Sequence, residues 1–174
     1  MKQKPSVETE LKLRIPAMGP YRSLLEALGF HEVHAAQVEI SVLWDRNGEL
    51  RSLGSALRTR SYAGQSRLTW KGPKVPDALL KIRPERETAI QDAGALEAIL
   101  RALGYAPIMR MEKVRAVWER AELEACLDET PFGCYLELEG EPQAIRVAME
   151  GLGLAPDRAE PRSYPELYVA HGLG

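Results

Sequence analysis

The feature that most limits how this chain can fold is the two-residue alternation near its start. Residues 6–15 put Glu8, Glu10, Lys12 and Arg14 on one side and Thr9, Leu11, Leu13 and Ile15 on the other, a period that only an extended strand turns into two distinct faces. The pattern then returns. Arg58 and Arg60 alternate with Leu57 and Thr59 within 56–62, and Arg67, Thr69 and Lys71 alternate with Leu68 and Trp70 within 65–71. Lys81, Arg83, Glu85 and Glu87 share one phase within 80–90, and Lys113 and Arg115 fall in a strand expected over 110–120. Cys126 and Asp128 share a side of a strand over 122–128, and Glu137 and Glu139 are in phase with Tyr135 over 132–140. A further strand is expected over about 34–44.

Between these strands lie helices with readable ends. Tyr21, Leu24, Leu25 and Leu28 have helical spacing and stop at Gly29; Asp92 caps a helix that Gly104 ends; Glu141-Pro142 opens a third. A short helix follows Ser163-Tyr164-Pro165. Segments 45–48 and 53–54 read as turn and loop. Leu28-Gly29-Phe30 and Leu103-Gly104-Tyr105 echo one another. Pro84 points to an edge or a bulge in its strand, because proline cannot donate to a ladder. The fold class is α+β, in one domain over residues 1–174.

A single strand with a charged side is ordinary in a half-buried antiparallel sheet. Here nearly every strand has one, while Leu11, Leu13, Leu57, Leu68, Trp70, Leu136 and Leu138 supply apolar opposite sides for three amphipathic helices to cover. A closed or nearly closed sheet with helices outside turns the charged sides inward, lining a polar channel. Lys12, Arg14, Arg58, Arg60, Lys71, Arg83, Lys113 and Arg115 then bring fixed positive charge from several directions, which suits a chain of phosphates. Glu8, Glu10, Glu85, Glu87, Asp128, Glu137 and Glu139 would repel that anion unless a cation lay between, and carboxylates with phosphate select Mg²⁺ or Mn²⁺.

In this order the blocks resemble the CYTH family, the triphosphate tunnel metalloenzymes that include class IV adenylyl cyclases and thiamine triphosphatases. The family's Glu-x-Glu-x-Lys is met by Glu8, Glu10 and Lys12. The match runs on through Ala56-Leu57-Arg58-Thr59-Arg60, Leu68-Thr69-Trp70-Lys71-Gly72-Pro73, Arg83-Pro84-Glu85-Arg86-Glu87, Lys113-Val114-Arg115, Leu127-Asp128, Tyr135-Leu136-Glu137-Leu138-Glu139 and Ser163-Tyr164-Pro165-Glu166-Leu167. Pro84 and Arg86 depart from the usual fourth block. The resemblance implies an eight-stranded antiparallel tunnel, a closed barrel with a charged interior. It implies a phosphate grip of Lys12, Arg58, Arg60, Lys71, Arg83, Lys113 and Arg115, with Lys12 and Lys71 catalytic. Glu8, Glu10, Glu137 and Glu139 would be the main metal carboxylates, the first two facing the last two across the metal, with Glu85, Glu87 and Asp128 as supporting ligands or groups behind them.

The activity so implied is action on a triphosphate small molecule, first as an adenylyl cyclase making cyclic AMP and pyrophosphate from ATP. The alternative is hydrolysis of thiamine triphosphate, a nucleoside triphosphate or tripolyphosphate, and a third reading is a non-catalytic polyphosphate or nucleotide sensor. With 23 Lys+Arg against 25 Asp+Glu, no nucleic-acid or membrane surface driven by net charge is expected. The N-terminus lacks an apolar leader core, so a cytoplasmic protein is expected. A homodimer is compatible with the family, although no apolar stripe demands one. Cys126 and Cys134 should leave opposite faces of a hairpin, unpaired. His31 and His34 are expected at the surface, Trp44, Trp70 and Trp118 in packing, and Tyr62 in rim packing rather than on a nucleobase.

Overall fold

The computed structural model describes residues 7–173; residue 6, where the first strand is expected to begin, lies outside them. Along the chain run β1 (Val7–Ile15), α1 (Met18–Ala27), β2 (His31–Asp45), α2 (Glu49–Ser52), β3 (Ala56–Tyr62), β4 (Gln65–Lys71) and β5 (Lys81–Ile90). They are followed by α3 (Ala93–Ala102), β6 (Ala106–Arg120), β7 (Leu123–Thr130), β8 (Gly133–Glu139), α4 (Pro142–Gly151), a 3-10 turn (Pro156–Arg158) and α5 (Tyr164–Ala170). All strand pairs are antiparallel, and the order β1-β5-β4-β3-β2-β6-β7-β8 closes into an eight-stranded barrel through β8 and β1.

Apart from the single-turn α2, the run β1-α1-β2-β3-β4 is repeated as β5-α3-β6-β7-β8, with β1 beside β5 and β2 beside β6. The echo in the sequence marks this repeat. Gly29 and Gly104 end α1 and α3 at φ 80° and 84°, a left-handed turn that a side chain would strain. Strands four places apart in an eight-strand ring lie across from each other, so the β3–β4 hairpin faces the β7–β8 hairpin.

Pro84 sits at neither an edge nor a bulge. Strand β5 pairs with β1 over Lys81 to Pro84 and with β4 over Glu85 to Ile90. Pro84 therefore marks the hand-over between two staggered ladders, and its carbonyl still accepts from the Gly72 N–H at 2.8 Å. Both long strands, β2 and β6, begin before the alternation suggests. Register shifts between Glu32 and His34, His34 and Gln37, and Leu43 and Trp44 break the period there. The unexpected turn α2 is tied to the end of β2 by the Asp45 carboxylate, which accepts from the backbone N–H of Arg46, Leu50 and Arg51 at 2.6–3.2 Å.

The apolar core lies outside one half of the barrel. Leu11, Leu13, Leu127, Leu136 and Leu138 from β1, β7 and β8 meet Leu25 of α1 and Ile145, Ala148, Met149 of α4, all essentially sealed from water. Burial of such side chains contributes roughly 1.5–3 kcal/mol each. The expected third covering helix does less: α3 buries Leu100 but leaves Ile99 and Leu103 exposed. Nor do all three tryptophans pack away. Trp44 and Trp118 are buried, but Trp70 is 36% exposed on β4, outside the part of the barrel that α1 and α4 cover. The cysteines are free, Cys126 opposite Glu137 and Cys134 opposite Glu129 in the β7–β8 register, on opposite faces as parity requires. Among the described residues no helix is long and apolar enough to cross a membrane.

Candidate active site

The inward positions line a cavity of about 750 Å³. Its walls divide by charge along the ring. The β7–β8 hairpin and β1 bring Glu124, Glu137, Glu139, Glu8 and Glu10, and the facing β3–β4 hairpin brings Arg58, Arg60 and Lys71. Lys81, Arg83 and Glu85 enter from β5, and Lys113 and Arg115 from β6. Glu8 and Glu10 do not face Glu137 and Glu139. Strands β1 and β8 are neighbours, so Glu10 is directly opposite Glu139 in the ladder and Lys12 is opposite Glu137. Glu139 is in turn opposite Glu124 of β7. Three inward carboxylates thus share one row of the acidic wall.

The basic side chains are held at this wall and beneath it. Lys71 bonds both Glu8 oxygens at 2.6–2.8 Å and pairs with Glu85 at 2.6 Å. Lys81 bonds Glu10 at 2.8 Å. Lys12 lies 3.2 Å from Glu137, donates to the Arg162 carbonyl at 3.2 Å, and sits 3.7 Å above the Tyr164 ring. Burial pulls its pKa down to about 8, against the opposing charge of Glu137. For Glu137 burial works the other way, but Lys12, Lys113, Arg115 and Lys81 hold its carboxyl well below the usual range.

Asp128 and Glu87, both expected as supporting carboxylates, are not in the cavity lining. Asp128 is completely buried. It accepts two bonds from Arg115 at 2.6–2.7 Å, one from Lys113 at 2.9 Å and one from the Tyr164 hydroxyl at 2.5 Å. Glu87 accepts from Arg60 at 3.2 Å, Arg67 at 2.9 Å and Thr69 at 2.8 Å. Both orient the cations from behind. Arg83 is clipped to the Gly72 carbonyl by two bonds, at 2.6 and 2.9 Å, whereas the buried Nε of Arg58 has no hydrogen-bond partner. Arg14, paired with Tyr135 near the end of the β1–β8 ladder, is exposed and is not in the cavity lining.

Among the lining residues that the sequence reading of the site did not include are Lys81, Glu124, Glu39 and Tyr164. Lys81 shares its phase with Arg83 and Glu85, and Glu124 shares its phase with Cys126 and Asp128, so alternation could have found both. Glu39 stands among apolar neighbours in β2, and Tyr164 belongs to α5 rather than to a strand. Tyr62 takes the bland role: its hydroxyl donates to the Arg115 carbonyl at 3.1 Å and its ring meets His34 edge-on. His31 is exposed and His34 half-buried at the start of β2.

Among the described residues no three acidic, histidine or cysteine side chains are gathered in ligating geometry, and Glu8 and Glu10 are bonded to Lys71 and Lys81. The donor set nevertheless fits a hard divalent cation. Glu10, Glu139 and Glu124 are like charges placed directly across from one another, which is destabilising without a cation between them. The facing guanidinium and ammonium groups, with the unused Arg58 Nε, suit phosphate oxygens.

A closed antiparallel tunnel with an acidic wall facing a basic one defines a class of polyanion-handling barrel. The CYTH domain family model matches residues 6–150, and the chain belongs to that family. A Methanocaldococcus jannaschii protein named as a candidate adenylate cyclase is 28% identical over 172 residues, covering 92% of this chain and 98% of the relative. The structure of a candidate adenylate cyclase from Vibrio parahaemolyticus superposes with a TM-score of 0.82 at 20% identity, over 95% of this chain and 99% of that one. A Hippeastrum protein, described as a candidate adenylyl cyclase with a dominant triphosphatase activity, gives 0.66 at 21% identity, over 94% and 96%.

Proposed function

We propose that this protein is a divalent-metal-dependent enzyme acting on a triphosphate, most like a class IV adenylyl cyclase that converts ATP to cyclic AMP and pyrophosphate. The observation that carries the reading is the single cavity in which Glu10, Glu124, Glu137 and Glu139 confront Arg58, Arg60 and Lys71. Glu8, Glu10, Glu137 and Glu139, joined by Glu124 and with Glu85 at the side, would hold Mg²⁺ or Mn²⁺. When bound, such an ion neutralises phosphate charge and polarises the phosphoryl oxygens.

In this reading the chain's own groups bind and orient. Arg58, Arg60, Arg83, Lys81, Lys113 and Arg115 grip the phosphates, and Asp128 and Glu87 keep Arg115, Lys113 and Arg60 aligned. Lys12 and Lys71 stand where the acidic wall meets the grip, placed to stabilise charge developing on the phosphoryl oxygens. Part of the cavity lining is apolar: Leu43 and Met109 are opposite each other across β2–β6, and Met111, Leu57 and Leu50 also line it. That lining favours a triphosphate bearing an organic group over bare tripolyphosphate.

The grip is common to two reactions. Cyclisation brings the ribose 3′-hydroxyl to the innermost phosphorus and expels pyrophosphate; hydrolysis brings water to the terminal one. The names of the archaeal and Vibrio relatives favour the first, and the Hippeastrum protein's described activity keeps hydrolysis as the second. Product analysis with ATP and Mg²⁺ or Mn²⁺ decides. Cyclic AMP with pyrophosphate is expected, ADP with phosphate would transfer the assignment to hydrolysis, and tight binding without turnover would leave a sensor. Glu139→Gln should lower turnover roughly 10–100-fold; undiminished activity would remove the metal assignment.

A further inference from the structure

Strand β2 separates the two basic strands β3 and β6, and its inward residue between them is a glutamate. Glu39 is 2% exposed and lines the cavity. It is opposite Lys113 in the β2–β6 ladder, and its carboxylate lies 3.6–3.7 Å from Arg60, Lys113 and Arg115. Those distances are ion pairing without hydrogen bonding. The cations spend their donors elsewhere, Arg60 on Glu87 and Lys113 and Arg115 on Asp128. Among the described residues Glu39 receives one hydrogen bond, from the Ser41 hydroxyl to Oε1 at 3.3 Å, and its buried Oε2 has no hydrogen-bond partner. A buried carboxylate is expensive to leave so poorly satisfied unless surrounding charge holds it.

Glu39 is ill placed as a metal ligand, because a divalent ion beside it would enter a cluster of positive side chains. Nor does it orient the cations by directed bonds, as Asp128 and Glu87 do. What remains is its charge. We infer that Glu39 is the built-in counter-ion of the phosphate grip: it neutralises Arg60, Lys113 and Arg115 while the tunnel is empty and opposes the phosphate chain once that chain takes over the same cations. The residue thereby weakens binding and favours release of a polyphosphate product. Charge held ionised supports this, since Lys113, Arg115, Arg60 and Arg58 overcome the effect of burial and keep the carboxyl far below its ordinary range.

The inference rests on the triphosphate reading, and equilibrium binding of inorganic tripolyphosphate separates the two. Glu39→Gln keeps shape and the Ser41 contact while removing the charge, so calorimetric titration without divalent metal should give an affinity about tenfold or more tighter than wild type. Glu39→Asp should stay close to wild type. Equal or weaker binding by Glu39→Gln, with wild type binding measurably, overturns the counter-ion role alone. Absence of binding by both proteins to ATP as well as to tripolyphosphate, with and without Mg²⁺, overturns the triphosphate reading as well. If the mutual repulsion of the cations unfolds Glu39→Gln, tripolyphosphate should restore its melting transition by replacing the lost charge. A variant that stays unfolded in saturating tripolyphosphate shows a structural requirement and overturns the proposal.

Discussion

Asp128 has no exposed surface and collects bonds from Arg115, Lys113 and Tyr164. Its value lies in what it leaves behind when lost. Removing one member of a buried charge pair strands the other in low dielectric, so Asp128→Ala should destabilise the protein by about 3–5 kcal/mol, read as a fall in the urea midpoint with the slope unchanged. Tyr164→Phe keeps the ring under Lys12 and Lys113 but removes one bond to a charged acceptor, and should cost about 1.5–3 kcal/mol in the same assay. A larger loss for Tyr164→Phe than for Asp128→Ala would contradict this ordering. Alternation showed Asp128 only as a charged strand position, and the family resemblance left it as either a supporting ligand or a group behind the main carboxylates. Whether a carboxylate lines a cavity or lies behind it depends on which donors reach it from other elements, and Arg115 of β6 and Tyr164 of α5 reach Asp128 from 13 and 36 residues away.

The elements were legible where the period was unbroken. Strands β3 and β4 fall on the expected 56–62 and 65–71 because Arg58, Arg60, Thr69 and Lys71 alternate without interruption. The bulged starts of β2 and β6 and the one-turn α2 escaped, since each depends on partners beyond a local window. Helix α5 shows a cap the sequence does spell out: Ser163 and Glu166 form a reciprocal capping box, and Lys74 bonds Glu166 from across the cavity mouth at 3.0 Å. Burial pushes the Glu166 carboxyl up, but its bonds from Ser163 and Lys74 bring it down to about 2. A carboxyl with a folded pKa below its unfolded one stabilises above the unfolded value, and that contribution fades as pH falls through the folded value. Glu166→Gln should therefore lower stability at pH 6, by no more than about 1 kcal/mol for so exposed a side chain. The gap from wild type should close between pH 4.5 and pH 2. A gap that persists at pH 2 would mean that the carboxylate charge is not its source.

For the whole molecule, alternation sufficed to put charged faces inward, but the neighbours around the ring did not follow from it. The motif holding Glu8 and Glu10 flanks Glu137 and Glu139 instead of facing them because β8 closes onto β1, a pairing of the chain's first and last strands that no local pattern encodes. The closed ring has an electrostatic consequence. Its lining contains ten lysine and arginine side chains and ten aspartate and glutamate side chains, so the cavity as a whole offers a bare polyanion little net attraction. The acidic wall opposes what the basic wall binds, and a divalent cation on the carboxylates would reverse that opposition. Tripolyphosphate and Mg²⁺ should accordingly stabilise the protein cooperatively. At a hundred times its dissociation constant a ligand contributes about 2.7 kcal/mol, roughly 5–10 °C in melting temperature for a chain of this size. The shift with both present should exceed the sum of the shifts with each alone, and Glu139→Gln should bring the combined shift back towards that sum. Additive shifts in the wild-type protein would show that the two walls act independently, and the confrontation of acid and base across the tunnel would then have no part in binding.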